Sequence, residues 1–244
     1  RIKDLVEQLN AASESYYAKD REIMSNYEYD KLYDELAALE KETGTVLSGS
    51  PTMTVGYEAV DELPKERHAS PMLSLDKTKD VGELAAFAGD HEVLLSWKLD
   101  GLTVVLTYEN GQLSKAVTRG NGEVGEVITN NAKVFKNVPL TIPCKEQVIL
   151  RGEAVIRYSE RINEEIEDEA AKYKNPRNLC SGSVRQLNNE ITAKRNVYFY
   201  AFALVQAEGV KFDNSREKQF LWLKSQGFDV VEYKKVTGVQ VPET

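Results

Sequence analysis

Leu102-Thr103-Val104-Val105-Leu106-Thr107-Tyr108-Glu109-Asn110-Gly111-Gln112-Leu113-Ser114-Lys115-Ala116-Val117-Thr118 is the stretch on which the fold turns. Residues 102–108 are rich in Val, Thr and Leu, types that suit a half-buried pleated surface. Asn110-Gly111 follows, the dipeptide that most readily takes the positive φ angles of a two-residue hairpin turn. The stretch therefore reads as two antiparallel strands. With Asn110 and Gly111 as the loop, facing positions sum to 221, which sets Leu102 opposite Arg119. Lys98-Leu99-Asp100-Gly101 and Thr118-Arg119-Gly120 then meet at one edge of the hairpin.

Outward from the hairpin, Val93-Leu94-Leu95, Val148 to Ile156 and Val197 to Val205 read as further strands. Tyr158 to Ala171 reads as an acidic helix and Asn178 to Leu187 as another. Hairpin strands with helices inserted between them argue for an α+β fold with a mainly antiparallel sheet, not a doubly wound one. No internal repeat occurs.

Towards the N-terminus the period changes. Ile2, Leu5, Val6, Leu9, Ala12, Ser13 and Tyr16 follow the i, i+3, i+4 spacing of one buried helix face. Ser25 and Glu28 form a capping box for a second helix, whose buried stripe is Tyr29, Leu32, Tyr33, Leu36 and Leu39. Residues 44–71 hold Gly, Ser and three of the seven prolines and read as a linker ending near Leu63-Pro64. The expected division is a small helical hairpin with its linker over 1–63, followed by the sheet domain over 64–244.

Composition sets outer limits. Of 244 residues, 41% are hydrophobic and 29% charged, as in an ordinary globular chain. No apolar run reaches the ~18 residues of a membrane span, so no membrane partner is expected. Arg1 to Asp4 open into a charged amphipathic stretch, so a signal peptide is not expected either. Cys144 and Cys180 stand far apart without a disulfide or zinc pattern, and a reducing cytoplasm fits them. A start at Arg1 and an end at Thr244 suggest a piece of something longer. The net charge is −8, which disfavours general polyanion binding, so contact with nucleic acid would need a local patch. Residues 172–195 supply one, at net +5, after residues 160–169 at net −5.

A Lys-x-Asp-Gly run is weak evidence alone; a surface lysine beside a turn is the ordinary reading. The surroundings change that. Tyr16-Tyr17, Tyr29-Asp30, Pro71-Met72-Leu73-Ser74-Leu75, Lys98-Leu99-Asp100-Gly101, Thr118-Arg119-Gly120, Arg151-Gly152-Glu153, Asn175-Pro176-Arg177-Asn178, Gly182-Ser183 and Arg185-Gln186-Leu187 occur in this order. Over nearly its whole length the chain resembles the N-terminal adenylation region of bacterial NAD-dependent DNA ligases.

The resemblance implies a nucleotidyltransferase in which Lys98 attacks the α-phosphorus of NAD, releases nicotinamide mononucleotide and keeps AMP as a phosphoramidate. AMP would pass later to the 5′-phosphate of a nick in double-stranded DNA. Lys98, Asp100, Arg119 and Glu153 form the implied catalytic set. Tyr16, Tyr17, Asn26, Tyr29 and Asp30 would grip the nicotinamide side, and Ser74, Leu75 and Ser96, with Lys98, Arg119 and Glu153, the adenylate side. Arg177 and Arg185 would touch the DNA backbone. The resemblance also implies Mg²⁺, with ligands unassigned, and a monomer is expected. A lysine amine has an ordinary pKa of about 10.4, so only on the order of one in a thousand is neutral near pH 7.4. Partial burial and a nearby cation such as Arg119 are expected to favour the neutral nucleophile.

Departures mark a divergent member. Ser96 replaces the glutamate that reads adenine, Asn26 an aspartate of the helical hairpin, and Asn121 and Val127 aspartates after Arg119. Leu179-Cys180-Ser181 is bulkier than the usual small residues. The later Asp-Gly-Val-Val-x-Lys strand is missing, so these 244 residues are expected not to seal nicks. Three rivals stand: a non-catalytic paralogue that binds NAD or DNA, a Rossmann-type oxidoreductase suggested by Gly120-x-Gly122-x-x-Gly125, and an ATP- or GTP-using ligase or capping relative, which shares the lysine motif but lacks the Tyr-rich N-terminal hairpin.

Overall fold

The computed structural model describes residues 1–19, 24, 26–47, 50–53, 63–72, 75–157 and 176–243. Helices α1 (Ile2–Lys19) and α2 (Asn26–Thr43) form the N-terminal hairpin. Leu5, Val6, Leu9 and Leu36 are buried between them, with Leu32, Tyr33 and Leu39 packed alongside. This is the apolar stripe read from the sequence. Ser25, the capping residue of that reading, and residues 158–175, with the acidic helix, lie outside the described residues.

Among the described residues of the linker, Pro51–Met53 form a 3₁₀ turn, and the short strand β1 (Lys65–Arg67) follows the linker's expected end near Leu63-Pro64. Helix α3 (Val81–Ala88) is capped by Asp80, whose side chain accepts from the Gly82 and Glu83 N–H groups. Strand β2 (Glu92–Ser96), β3 (Leu102–Glu109), β4 (Gln112–Thr118) and β5 (Val124–Glu126) follow. Then come α4 (Thr129–Ala132), β6 (Val148–Ile156), α5 (Pro176–Val184) and α6 (Asn189–Lys194). Strand β7 (Val197–Ala207), helix α7 (Arg216–Ser225), β8 (Tyr233–Thr237) and a 3₁₀ helix at Gly238–Glu243 complete the order. Helix α5 starts two residues before the expected Asn178 and stops at Val184, three short of the expected Leu187.

The main sheet has the order β4-β3-β6-β7, and β1 pairs with β5 and β2 with β8. Each of these ladders is antiparallel, as the α+β reading requires. Strand β6 shows the alternation clearly: Val148, Leu150, Gly152, Ala154 and Ile156 are buried, and the residues between them half-buried. The buried face packs with Val104, Leu106, Tyr108 and Phe199 against Leu179 and Val184 of α5 and Phe220 and Leu223 of α7. The opposite, outer face carries Thr103, Arg151 and Glu153.

The hairpin corrects the register drawn from the sequence. Glu109 faces Gln112 and Tyr108 faces Leu113, summing to 221, but Thr107 faces Lys115 and Val104 faces Thr118, summing to 222. Ser114 is the extra residue, and its hydroxyl donates to the Thr107 carbonyl at 3.1 Å. An unbroken register would have set Lys115 against buried Leu106; the bulge sets Ala116 there instead. Arg119 consequently lies beside Thr103, to whose carbonyl its N–H donates at 2.9 Å, and not opposite Leu102.

The glycine-rich segment after Arg119 leads into β5, antiparallel to β1, and no helix opens from it. A Rossmann phosphate turn needs a parallel βαβ unit, so the oxidoreductase reading fails here.

Candidate adenylation site

Lys98 lies in the connection from β2 to β3, at the edge where the outer face of the main sheet ends. The close approach of this connection to β6 explains the glycine of the motif. A Cβ on Gly101 would sit 1.9 Å from the Ala154 carbonyl oxygen. With no side chain there, the Gly101 N–H reaches Glu153 Oε1 at 3.0 Å, while the Thr103 hydroxyl donates to Oε2 at 2.8 Å. Thr103 and Glu153 are cross-strand partners. Burial pushes the Glu153 carboxyl above the ordinary range, opposed by these two hydrogen bonds and by the positive charges of Lys98 and Arg177.

Arg119 lies on the same row, one strand away from Thr103. Its guanidinium donates to the Met72 carbonyl at 3.1 Å, and the His68 ring contacts the Arg119 carbonyl at 3.0 Å. Arg177 stands 3.4 Å from Asp100. The structure thus brings Lys98, Asp100, Glu153 and Arg177 together, with Arg119 beside them through Thr103. Thr103, His68 and the Met72 carbonyl are the supports that sequence reasoning missed. Strand alternation with the bulge in place would have found Thr103, but nothing local marks the other two.

Not every expectation fits. Lys98 is exposed, so the partial burial expected of it is not found. Leu75 is 90% exposed. Ser96 is exposed at the end of β2, opposite Tyr233. Ser74 lies outside the described residues. Tyr16, Tyr17, Asn26, Tyr29 and Asp30 fall within α1 and α2, but their side chains lie outside what is described. Arg185 is paired with Glu126. Arg195 is buried and donates to the Ser183 hydroxyl at 3.1 Å, so part of the basic run serves packing and not a charged surface.

The bulkier Leu179 and Cys180 are both fully within the core. The Cys180 thiol donates to the Ala154 carbonyl at 3.1 Å, and burial pushes it up to about 12. It remains a protonated packing group.

The described residues contain no cluster of three or more His, Cys, Asp or Glu side chains able to hold a metal. Asp100 and Glu153 supply two carboxylates near Lys98. That suits Mg²⁺, which commonly binds through one or two carboxylates together with water and substrate phosphates.

Comparison with known proteins decides the family. Residues 60–241 match the model of the NAD-dependent DNA ligase adenylation domain. The chain belongs to this family. Residues 1–56 match a second model, the N-terminal NAD⁺-binding domain of DNA ligase-like proteins. A DNA ligase of Ruminiclostridium cellulolyticum is 64% identical over all of this chain and 37% of its own length. One from Lachnoclostridium phytofermentans is 66% identical over all of this chain and 38% of its own. A DNA ligase of Mycoplasma pneumoniae is 39% identical over 82% of the chain. The ligase-family chain therefore spans little more than a third of the length of these relatives. No helix among its described residues is long and apolar enough to cross a membrane.

Proposed function

We propose that this chain carries out the NAD-dependent adenylation step of a DNA ligase. The observation that carries the reading is the convergence of Lys98, Asp100, Glu153 and Arg177 at one sheet edge, with Arg119 on the adjoining strand. In the proposed step the neutral Lys98 amine forms a bond to the α-phosphorus of NAD. The bond from that phosphorus to the bridging oxygen breaks, nicotinamide mononucleotide leaves with the electron pair, and the amine proton passes to solvent. Held in place by Gly101 and Thr103, Glu153 faces the lysine and the ribose side of the nucleotide. Arg119 and Arg177 would face phosphate charge as it builds, where fixed cations contribute most. Mg²⁺, held by Glu153 or Asp100 with substrate oxygens, would neutralise the same charge.

The helical hairpin would hold the nicotinamide side through Tyr16, Tyr17, Asn26, Tyr29 and Asp30, and Ser74, Leu75 and Ser96 would border the adenylate. In the longer protein, AMP would pass to nicked double-stranded DNA, with Arg177 and Arg185 on its backbone. We place the division between hairpin and sheet domain near residue 63, and the enzyme in the cytoplasm as a monomer.

Intact mass after incubation with NAD and Mg²⁺ tests the step. The expected result is a gain of one AMP, reversed by nicotinamide mononucleotide and absent in Lys98→Ala. Ser96 favours a second reading, a paralogue that binds NAD without turnover. NAD binding without any adduct would select it.

A further inference from the structure

Arg119 is held at its main chain and at its side chain by segments distant in sequence. Its N–H donates to the Thr103 carbonyl at 2.9 Å, and its guanidinium to the Met72 carbonyl at 3.1 Å. The Arg119 carbonyl accepts from the Gly122 N–H at 3.0 Å, and His68 Nε2 lies 3.0 Å from the same oxygen. A carbonyl oxygen only accepts, so Nε2 carries the hydrogen and donates.

His68 and Met72 belong to one strap, residues 68–72, laid along the turn that follows Arg119. The His68 N–H donates to the Glu123 carbonyl at 2.7 Å, and the Met72 N–H to the Gly122 carbonyl at 2.8 Å. A Cβ on Gly122 would come within 2.9 Å of the Met72 carbonyl oxygen, the oxygen that takes the guanidinium. Within the turn, Asn121 Oδ1 accepts from the Glu123 and Val124 N–H groups at 2.9 and 2.8 Å. Main-chain bonds thus hold strap and turn together without the imidazole. The half-buried His68 ring adds something else, a side-chain tie to the Arg119 peptide plane. A guanidinium stands at the end of a long side chain, so a small rotation of that plane moves its tip much further. Fixed cations stabilise a transition state because they need not reorganise when charge develops.

We propose that His68 is a positioning residue that acts through Arg119. Its Nε2–H fixes the Arg119 peptide plane, and the Met72 carbonyl of the same strap fixes the guanidinium, so the cation is aimed before phosphate charge builds. What Arg119 faces rests on the adenylation reading; its tie to His68 does not.

Single-turnover AMP transfer from NAD with Mg²⁺, read by intact mass over a series of NAD concentrations, tests the role. His68→Leu should lower the rate at saturating NAD by about tenfold and leave the half-saturating concentration within about twofold, as when a contribution made only in the transition state is lost. His68→Gln, whose amide N–H has a similar reach, should recover most of the rate. In Arg119→Ala, adding His68→Leu should slow transfer no further, because the two act as a unit. Should His68→Leu fail to give a cooperative thermal melt, His68→Phe keeps a ring without the donor and takes its place. The Arg119 Nε–Hε signal in NMR, assigned by its loss in Arg119→Lys, reads the tie without turnover. It should move in His68→Leu and return in His68→Gln. A parent that takes no AMP overturns the adenylation reading, and the NMR signal then decides the role of His68, as it does if Arg119→Ala is too slow to measure. The proposal is overturned by an Arg119 signal unmoved in His68→Leu. A parental rate in folded His68→Leu, an equal loss in His68→Gln, or a full further loss in the Arg119→Ala background overturns it too.

Discussion

At the scale of single residues, Gly101 and Glu153 are bound to each other by the backbone. The 1.9 Å between a Cβ on Gly101 and the Ala154 carbonyl is far inside contact distance, and the obstacle is main chain. Gly101→Ala must therefore displace the Lys98 connection from β6 and break its N–H bond to Glu153. AMP transfer from NAD, read by intact mass, should fall by about 10²-fold or more although Lys98 is unchanged, as expected when a reacting group is misplaced by about 1 Å. Glu153 gives a pH prediction. A carboxyl whose folded value is raised lends stability below its unfolded value and loses that contribution as pH rises through the folded one. At pH 7–8 the charged group is thus no help to the fold. Glu153→Gln should leave Tm unchanged or slightly raised in a thermal melt, while adenylation falls by about 10²-fold.

At the scale of elements, the β3–β4 hairpin shows how little freedom the turn has. Asn110 and Gly111 take φ of 51° and 74°, the left-handed pair of a tight hairpin turn. A Cβ on Gly111 would also meet the Ile142 carbonyl oxygen at 2.8 Å. Gly111→Ala should cost about 1–2 kcal/mol in urea unfolding, from the conformation alone and before the contact is relieved. The Ser114 bulge lies one turn further on. Asn-Gly and the strand composition were legible in the sequence, and with them the existence of the hairpin. The bulge was not, because it answers a tertiary demand: Leu106 needs Ala116 opposite it in the core, and Lys115 must stay on the outer face. One inserted residue therefore changed which residue stands beside Arg119.

At the scale of the molecule, two of the three hydrophobic clusters among the described residues are joined by polar contacts. The α1–α2 cluster is small, and the main core spans the sheet and helices α4, α5 and α7. Between them Lys133, just after α4, donates to the Leu47 carbonyl at 3.5 Å, and Glu40 of α2 is buried and accepts from the Thr52 hydroxyl. Burial lowers Lys133 to about 8, against the opposing pull of Glu40. Between pH 8 and about 10.4 the unfolded chain then binds more protons at this position than the folded one, so its contribution to stability rises with pH. Urea unfolding at pH 7, 8, 9 and 10 should show this rise in the parent. It should be missing in Lys133→Met, which should equal or exceed the parent in stability at pH 7 by about 1–3 kcal/mol. A steeper pH dependence in the variant would contradict the assignment.

The sequence by itself determined the helix stripes, the antiparallel strands, the turn at Asn110-Gly111 and the ordered motifs around Lys98. These follow from residue periodicity and backbone preference, which act over a few neighbours and so are written locally. The tertiary structure alone decided the one-residue shift at Ser114 and the exposure of Lys98. It also placed Arg195 in the core and set the Met72 carbonyl against Arg119. Each depends on what a side chain meets after distant segments close on it. Met72 and Arg119, for example, stand 47 positions apart and are bridged by a hydrogen bond that no local pattern encodes.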